Sequence, residues 1–306
     1  MMGKILVIGS LNMDMVMQVD HMPAEGETIL CDEMKLVPGG KGANQACAAG
    51  KLGVDVTMFG AVGRDSYADI QMNSLAAAGV DTSGILRKDG VNTGTAFITV
   101  NRRGNNSIVV VPGANSAFTP DDIEKNRNLI EACEILILQL EIPLDTVCYA
   151  AKLAKSLGKT VLLDPAPVPE YFPEELYQYV DIIKPNETEL SKLTGIVNAQ
   201  DHLSEAVQIL KNPGVKNVLV TLGEKGVYLD AEGKEACHIP ARKVTAVDTT
   251  AAGDSFTAAL AAMLLEGKTL YEAAEFANRV SAIVVTREGA QSSIPTLQEV
   301  LENKSE

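Results

Sequence analysis

Short apolar runs alternate with longer segments of helical period along most of this chain. That alternation predicts a mostly parallel sheet covered by helices on both faces. The clearest strand candidates are Ile5 to Ile8, Val56 to Phe59, Ile135 to Leu140, Thr160 to Leu163, Ile182 to Lys184 and Val218 to Thr221. Thr119 before Pro120 and two aspartates supplies an N-cap with proline at the first helical position, and apolar spacing carries that helix toward Ala132. Ala252 to Leu265 and Ala273 to Val285 are alanine-rich and largely apolar, and predict two buried helices.

Two stretches depart from this rhythm. Met13 to Val37 alternates less regularly and carries Pro23, Gly26 and several charges, while Thr95 to Val111 reads as two extended runs joined by Arg102-Arg103-Gly104-Asn105-Asn106, a hairpin signal. A helix-poor insertion in an α/β chain often forms a lid at the carboxyl edge of the sheet, where such folds bind ligands. The expected architecture is an α/β three-layer sandwich with a central mostly parallel sheet and a small β-sheet lid. It forms one unit over residues 1–306, with lid insertions at about 15–38 and 93–112.

At 306 residues, 46% hydrophobic and 22% charged, the chain can bury a full core. Its formal net charge of −14 argues against nucleic acid and anionic membranes as partners, since both recruit clustered Lys and Arg. Cys31, Cys47, Cys133, Cys148 and Cys237 lack the close spacing of zinc or dithiol sites and fit a reducing cytoplasmic location. The first apolar run ends at Gly9, too short for a signal-peptide core or a membrane span. His21, His202 and His238 show no metal-ligand spacing.

The segment richest in chemistry is Asp248-Thr249-Thr250-Ala251-Ala252-Gly253-Asp254, which runs into Ser255-Phe256 and an alanine-rich helix. Small residues let backbone approach a ligand, and the N–H groups of Ala251, Ala252 and Gly253 at a helix start suit a phosphate. Asp254, at the edge of such an anion hole, can accept a hydroxyl proton while a γ-phosphoryl group rests on the amides. The helix N-terminus is expected to depress the pKa of Asp254, which makes it a weak, late-acting base whose orientation counts as much as its basicity. The plain alternative is an N-terminal helix aspartate without chemistry.

Pro38-Gly39-Gly40-Lys41-Gly42-Ala43-Asn44-Gln45 is a glycine-rich turn entering a helix, and it is neither a Walker A loop nor a dinucleotide fingerprint. Lys41 and Asn44 offer polar donors to a hydroxylated ligand; a purely structural turn is the alternative. Asn12 and Asp14 share one side of an extended segment and suit vicinal hydroxyls or the capping of a turn. Asn186 and Glu189, three apart at a helix start, either order Mg²⁺ through water or form a capping box. The loop Thr221-Leu222-Gly223-Glu224-Lys225-Gly226 joins two strand-like runs and either passes a nucleotide or simply turns a hairpin. Arg102 and Arg103 fit a solvated hairpin tip better than a phosphate site.

These pieces, in this order, resemble the ribokinase branch of the carbohydrate kinase family named after the minor phosphofructokinase. The resemblance runs from Gly9-Ser10-Leu11-Asn12-Met13-Asp14 to Thr286-Arg287-Glu288-Gly289-Ala290-Gln291, with Gly39 to Gln45 and Asp248 to Asp254 as the two family motifs. It implies ATP-dependent phosphorylation of a sugar's primary hydroxyl, ribose to ribose 5-phosphate being the leading case. By matching positions, Asn12, Asp14, Gly40, Lys41, Asn44 and Glu141 would bind the sugar, with Asp254 as base. ATP would meet Asn186, the loop from Thr221 through Gly223, Glu224 and Lys225 to Gly226, Gly253 and Asn278, and Asn186 with Glu189 would organise Mg²⁺. A monovalent cation, usually potassium, would lie by Asp248, Thr250, Val284, Arg287, Gly289 and Ser293.

Ala251 stands where many relatives have glycine, which matters little if only the amide acts, and Asn278 stands where some have histidine. The resemblance also implies a homodimer paired through the β lid. The open alternatives are another acceptor (a nucleoside, fructose, a deoxyketo sugar acid or a sugar phosphate) and a non-catalytic sugar-binding protein on the same fold. The segment Asp20 to Cys31 lacks Lys and Arg, which lowers the sugar-phosphate option.

Overall fold

The computed structural model describes residues 3–31 and 33–303, so Met1, Met2, Asp32 and 304–306 of the expected unit lie outside the described residues. The strands are β1 (Ile5–Ile8), β2 (Asn12–Val19), β3 (Met34–Gly39), β4 (Val56–Val62), β5 (Asp81–Arg87), β6 (Gly94–Asn101), β7 (Asn106–Val111), β8 (Ile135–Leu138), β9 (Thr160–Leu163), β10 (Ile182–Ile183), β11 (Asn217–Thr221), β12 (Val227–Asp230) and β13 (Cys237–Ile239). The α-helices are α1 (Lys41–Lys51), α2 (Ser66–Ala77), α3 (Pro120–Lys125), α4 (Arg127–Ala132), α5 (Leu144–Ser156), α6 (Glu187–Thr194), α7 (Leu203–Lys211), α8 (Ala252–Leu265), α9 (Leu270–Val284) and α10 (Leu297–Glu302).

The main sheet has the order β13-β12-β11-β10-β9-β8-β1-β4-β5 and is parallel from β11 to β5; the β11–β12 and β12–β13 pairings at one edge are antiparallel. Every residue of β1 and β8 is buried, which explains their uninterrupted apolar sequence. Alternate side chains of β1 enter opposite cores, Ile5 and Val7 against α1, α8 and α9, Leu6 and Ile8 against Phe59, Phe118 and α5.

The second sheet has the order β3-β2-β6-β7, with β2 parallel to β6 and the other pairs antiparallel. Only Gly9–Leu11 separates β1 from β2, so this lid hangs from the carboxyl end of β1. Its first strand, β2, begins three residues before the insertion expected at about 15, and Asn12 and Asp14 therefore belong to the lid itself. Ile108, Val109, Val110 and Val111 of the edge strand β7 are exposed, as are Phe97 of β6 and Met34 and Leu36 of β3.

Four local expectations need correction. The helix expected from Thr119 to Ala132 divides at Asn126, whose φ of −118° is not helical and whose side chain donates to the Asp122 carbonyl. The strand from Ile135 stops at Leu138, and that from Ile182 stops at Ile183, because Gln139 and Lys184 leave the ladder for the site at the sheet edge. Helix α9 starts three residues before Ala273, where Thr269 and Glu272 form a capping box.

Candidate active site

The polar residues that follow the buried strands converge at one edge of the sheet. Gly40 opens α1 with φ 90°, and a Cβ there would lie 2.7 Å from the Asn12 nitrogen; at Gly42 one would lie 2.7 Å from the Ser10 nitrogen. The glycine loop is therefore a close-passage device that brings the first turns of α1 under the β1–β2 connection. It delivers Lys41, Asn44 and Gln45 to the carboxyl ends of β1, β8 and β9.

Asp254, in the first turn of α8, is buried at 6% exposure and fully bonded: Asn44 Nδ2 donates to its Oδ2 at 3.0 Å and Gln45 Nε2 to its Oδ1 at 3.1 Å. Glu141, beyond β8, accepts from the Ser10 hydroxyl at 2.5 Å and the Lys41 N–H at 3.1 Å. Asn12, at the start of β2, is held by residues outside the lid sheet: Asn115 Nδ2 donates to its Oδ1 at 2.8 Å and Gln71 of α2 donates to its carbonyl. The Oδ1 of Asn44 is buried and has no partner among the described residues, a polar atom that a ligand hydroxyl would satisfy.

The electrostatics reverse one expectation. Burial raises the Asp254 carboxyl above its ordinary value; Lys41 and the Asn44 hydrogen bond pull it down, but Asp164 and Glu141 add to the rise. The helix N-terminus does not decide the sign, because loss of water outweighs a backbone dipole at a carboxylate this deeply buried. Asp254 is thus a stronger base than its place in the chain predicts. Asp14 is pushed up to about 7, by burial first and then by Glu141 and Asp254. Burial pulls the Lys41 ammonium down, yet Asp254, Asp164, Glu141 and Glu189 together hold it above its usual range.

The helix start also differs in detail from the three amides expected. The Ala252 N–H closes a turn onto the Thr249 carbonyl at 3.2 Å, whereas the N–H groups of Ala251, Gly253 and Asp254 meet no acceptor among the described residues. The donors left free at this turn are these three amides, two of them in the first turn of α8. Ala251 sits in the left-handed region at φ 59°, so its replacement of glycine carries backbone strain and does matter.

Asn186 and Glu189 form the reciprocal capping box, each side chain bonded to the other's backbone N–H at 2.8 Å. The box leaves the second Glu189 oxygen without a hydrogen-bond partner among the described residues, and Asp164, Lys184 and Lys41 lie close enough to influence its charge. Asn186 is bridged to Thr221, which places the start of the Thr221–Gly226 loop beside it. That loop, carrying Gly223, Glu224 and Lys225, packs at Gly226 (φ 99°) against Ile239 and Ala241. Asn278 reaches the same segment, but its Nδ2 is engaged by the Ile239 and Pro240 carbonyls at 3.5 and 3.3 Å.

Of the six positions matched to a monovalent cation, Asp248, Thr250 and Gly289 are joined directly by hydrogen bonds. Asp248 Oδ1 accepts from the Thr250 N–H and hydroxyl at 2.9 and 2.6 Å, and its Oδ2 from the Gly289 N–H at 2.9 Å. Burial raises Asp248, but these bonds more than offset it and hold the carboxyl below its ordinary value. Arg287 N–H donates to the Val284 carbonyl, Ser293 to Ala290, and the Arg287 guanidinium pairs with Glu299.

Four further residues belong to this edge and were not singled out from sequence. Asp164 follows β9 and Lys184 follows β10; they pair at 3.2 Å with side-chain exposures of 2% and 4%. Lys184 Nζ also lies 3.4 Å from where a Cβ on Gly253 would be. Gln45 and Gln139 complete the group, Gln139 Nε2 donating to Gln45 Oε1 at 2.6 Å. The available signal was positional: each is the first polar residue after an apolar strand run or, for Gln45, the last of the glycine motif.

A mostly parallel sheet with a β lid, and a buried aspartate beside free helix-start amides at its edge, are the features of a ribokinase-like fold, and solved structures agree. The ribokinase of Arabidopsis thaliana complexed with ribose and ATP is 36% identical with a TM-score of 0.92, covering 99% of this chain and 98% of that one. A ribokinase of Staphylococcus aureus is 40% identical over 98% of this chain and 99% of its own, and a deoxyribokinase of Salmonella typhi is 38% identical over 96% of both. The family model described as pfkB family carbohydrate kinase matches residues 2–297, and the chain belongs to that family.

Proposed function

We propose that this chain is an ATP-dependent kinase that phosphorylates the primary hydroxyl of D-ribose to give D-ribose 5-phosphate. The observation that carries the reading is the buried, doubly bonded Asp254 beside the free N–H groups of Ala251, Gly253 and its own backbone. Asn12, Asp14, the Gly40–Lys41 backbone, Asn44 and Glu141 would hold the sugar. The closeness of ribokinases over full length supports ribose.

Asp254 accepts the proton as the hydroxyl oxygen bonds to the γ-phosphorus and the bond to the leaving diphosphate breaks. The amides stabilise the charge spread over the transferring group, and Lys41 keeps a cation among the carboxylates. Because β2 carries Asn12 and Asp14, closing the lid would bring sugar contacts and water exclusion together. The nucleotide would lie along Asn186, the Thr221–Gly226 loop, Gly253 and Asn278.

Mg²⁺, held through water by Asn186 and Glu189, would neutralise phosphate charge, and the free Glu189 oxygen suits such a role. The ionised Asp248 with the carbonyls near Val284, Arg287 and Gly289 is an oxygen-rich donor set that suits potassium, which would brace the anion-hole turn. The apolar outer face of β7, β6 and β3 supports a homodimer through the lid; sedimentation as a monomer at micromolar concentration would refute it. Five free cysteines, and no helix among the described residues long and apolar enough to cross a membrane, are consistent with a cytoplasmic enzyme.

A second reading, 2-deoxyribose as acceptor, is favoured by the similarity to a deoxyribokinase. The test is ADP release from MgATP with ribose, 2-deoxyribose, fructose and nucleosides, with and without potassium. Ribose is expected to give the highest kcat/KM, and Asp254→Asn to bind ribose and ATP while losing at least about a hundredfold in kcat. A silent response to ribose with turnover of another sugar would move the substrate, and near-normal kcat in Asp254→Asn would remove the base.

A further inference from the structure

Behind Asp254 lies a buried string of polar side chains to which the reaction outlined above assigns no part. Gln139 and Gln45 are both 0% exposed, and Asp164 is 2% exposed. Gln45 Nε2 donates at once to Asp254 Oδ1 at 3.1 Å and to Asp164 Oδ2 at 3.0 Å, so both of its hydrogens are committed to carboxylates. Its Oε1 accepts from Gln139 Nε2 at 2.6 Å. The amide therefore has one workable orientation, since a flip would set its oxygen against two carboxylates and its nitrogen against another N–H. Gln139 is itself wedged against the glycine that follows β1, where a Cβ at Gly9 would lie 1.8 Å from Gln139 Oε1. The far end of the string is closed by Lys184 and by the Thr257 hydroxyl, each 3.2 Å from Asp164 Oδ2.

Two buried amides side by side are an expensive filler. Apolar side chains of the same volume would occupy the space without desolvating polar groups, so core stability alone does not call for them. What they do is geometric. Asn44 holds one oxygen of Asp254 and Gln45 holds the other, which together prevent rotation of the carboxylate about its Cβ–Cγ bond. We infer that Gln45, oriented by Gln139, is a positioning residue that fixes the Asp254 carboxylate for proton acceptance and separates it from Asp164. The inference rests on Asp254 acting as base in the proposed reaction.

The charged groups facing Asp254 are Lys41 at the start of α1, Glu141 beyond β8, Asp164 beyond β9 with its partner Lys184 beyond β10, and Asp14 of the lid. Among these, Asp164 is the one that shares a hydrogen-bond donor with Asp254. Without the Gln45 hydrogens no shared donor would stand between the two carboxylates, and the ionised form of Asp254 would lose one of its two side-chain donors; both effects favour its protonated form.

The experiment compares wild type, Gln45→Met, Gln139→Met and the double variant by steady-state kinetics across neutral pH, with ribose and MgATP. Gln45→Met is expected to lower kcat at neutral pH by about tenfold to a hundredfold, with KM for ribose within about threefold. The acid limb of its kcat profile should move up by about one pH unit, so the deficit narrows as pH rises. Gln139→Met should act in the same direction but less, and the double variant should be no worse than Gln45→Met because the two act as one unit. Folded variants, verified by cooperative melting, with a wild-type acid limb would overturn the inference, as would equal losses in kcat and affinity with no change in pH profile. Should Gln45→Met not fold, Gln139→Met decides by the same criterion. If wild type phosphorylates no sugar, or Asp254→Asn stays active, the functional reading fails and the inference with it. If both behave as expected and the glutamine variants are normal, the inference alone fails.

Discussion

Asp14→Asn removes a carboxylate whose ionisation the fold opposes. The Asp14 carboxyl is raised from 3.8 to about 7 by burial, Glu141 and Asp254. Below its unfolded value both states hold the proton, and the group contributes nothing to the pH dependence. Between the two values the native state keeps a proton that the unfolded chain has released, so stability falls as pH rises and the full penalty is present above about 7. A rise of roughly three pH units at about 1.4 kcal/mol each sets the penalty at up to about 4 kcal/mol. Asparagine has nearly the same shape and does not ionise. The variant should therefore match wild type near pH 4 and become more stable by up to about 4 kcal/mol near pH 8, while binding ribose more weakly. Urea denaturation at the two pH values measures the gap. A gap of equal size at both, or a variant less stable than wild type at the higher pH, would refute the argument.

Two further outcomes follow from the same geometry. At Ala251, whose φ is 59°, a β-branched side chain adds strain, so Ala251→Val should lose about 2 kcal/mol in urea denaturation while Ala251→Gly stays within about 1 kcal/mol of wild type. Equal stability of the valine and glycine variants would contradict the strain. Lys184→Met leaves Asp164 buried without its cation and should destabilise by about 3 kcal/mol, most of which Asp164→Asn in the same chain should restore; a harmless single substitution would mean that the pair is not what compensates the buried charge.

The main strands were legible because strands buried on both faces have no polar position to interrupt them, as β1 and β8 illustrate. Helix α8 was legible to the residue from its run of alanines after the Asp248–Asp254 motif. The site was legible only in part. Asn44 and Asp254 stood in recognisable motifs, and they do meet, 210 positions apart in sequence. Asp164 and Lys184 did not stand out, because one polar residue after an apolar run looks like any loop residue until β9 and β10 are known to be neighbours. The break at Asn126 was hidden by a side chain that bonds its own backbone within an otherwise helical pattern.

The order of apolar runs and the two glycine- and alanine-rich motifs determined, from sequence alone, the sheet, the lid and the candidate base, since these depend on local period, chain reversal and backbone access. The sign of the Asp254 shift was a tertiary matter. Its local neighbour, a helix start, favours ionisation, whereas the burial and the carboxylates of Asp164 and Glu141 that prevail come from remote segments. So do the two amides that hold its oxygens, because only the crossing of α1 under the sheet edge brings them within hydrogen-bonding range.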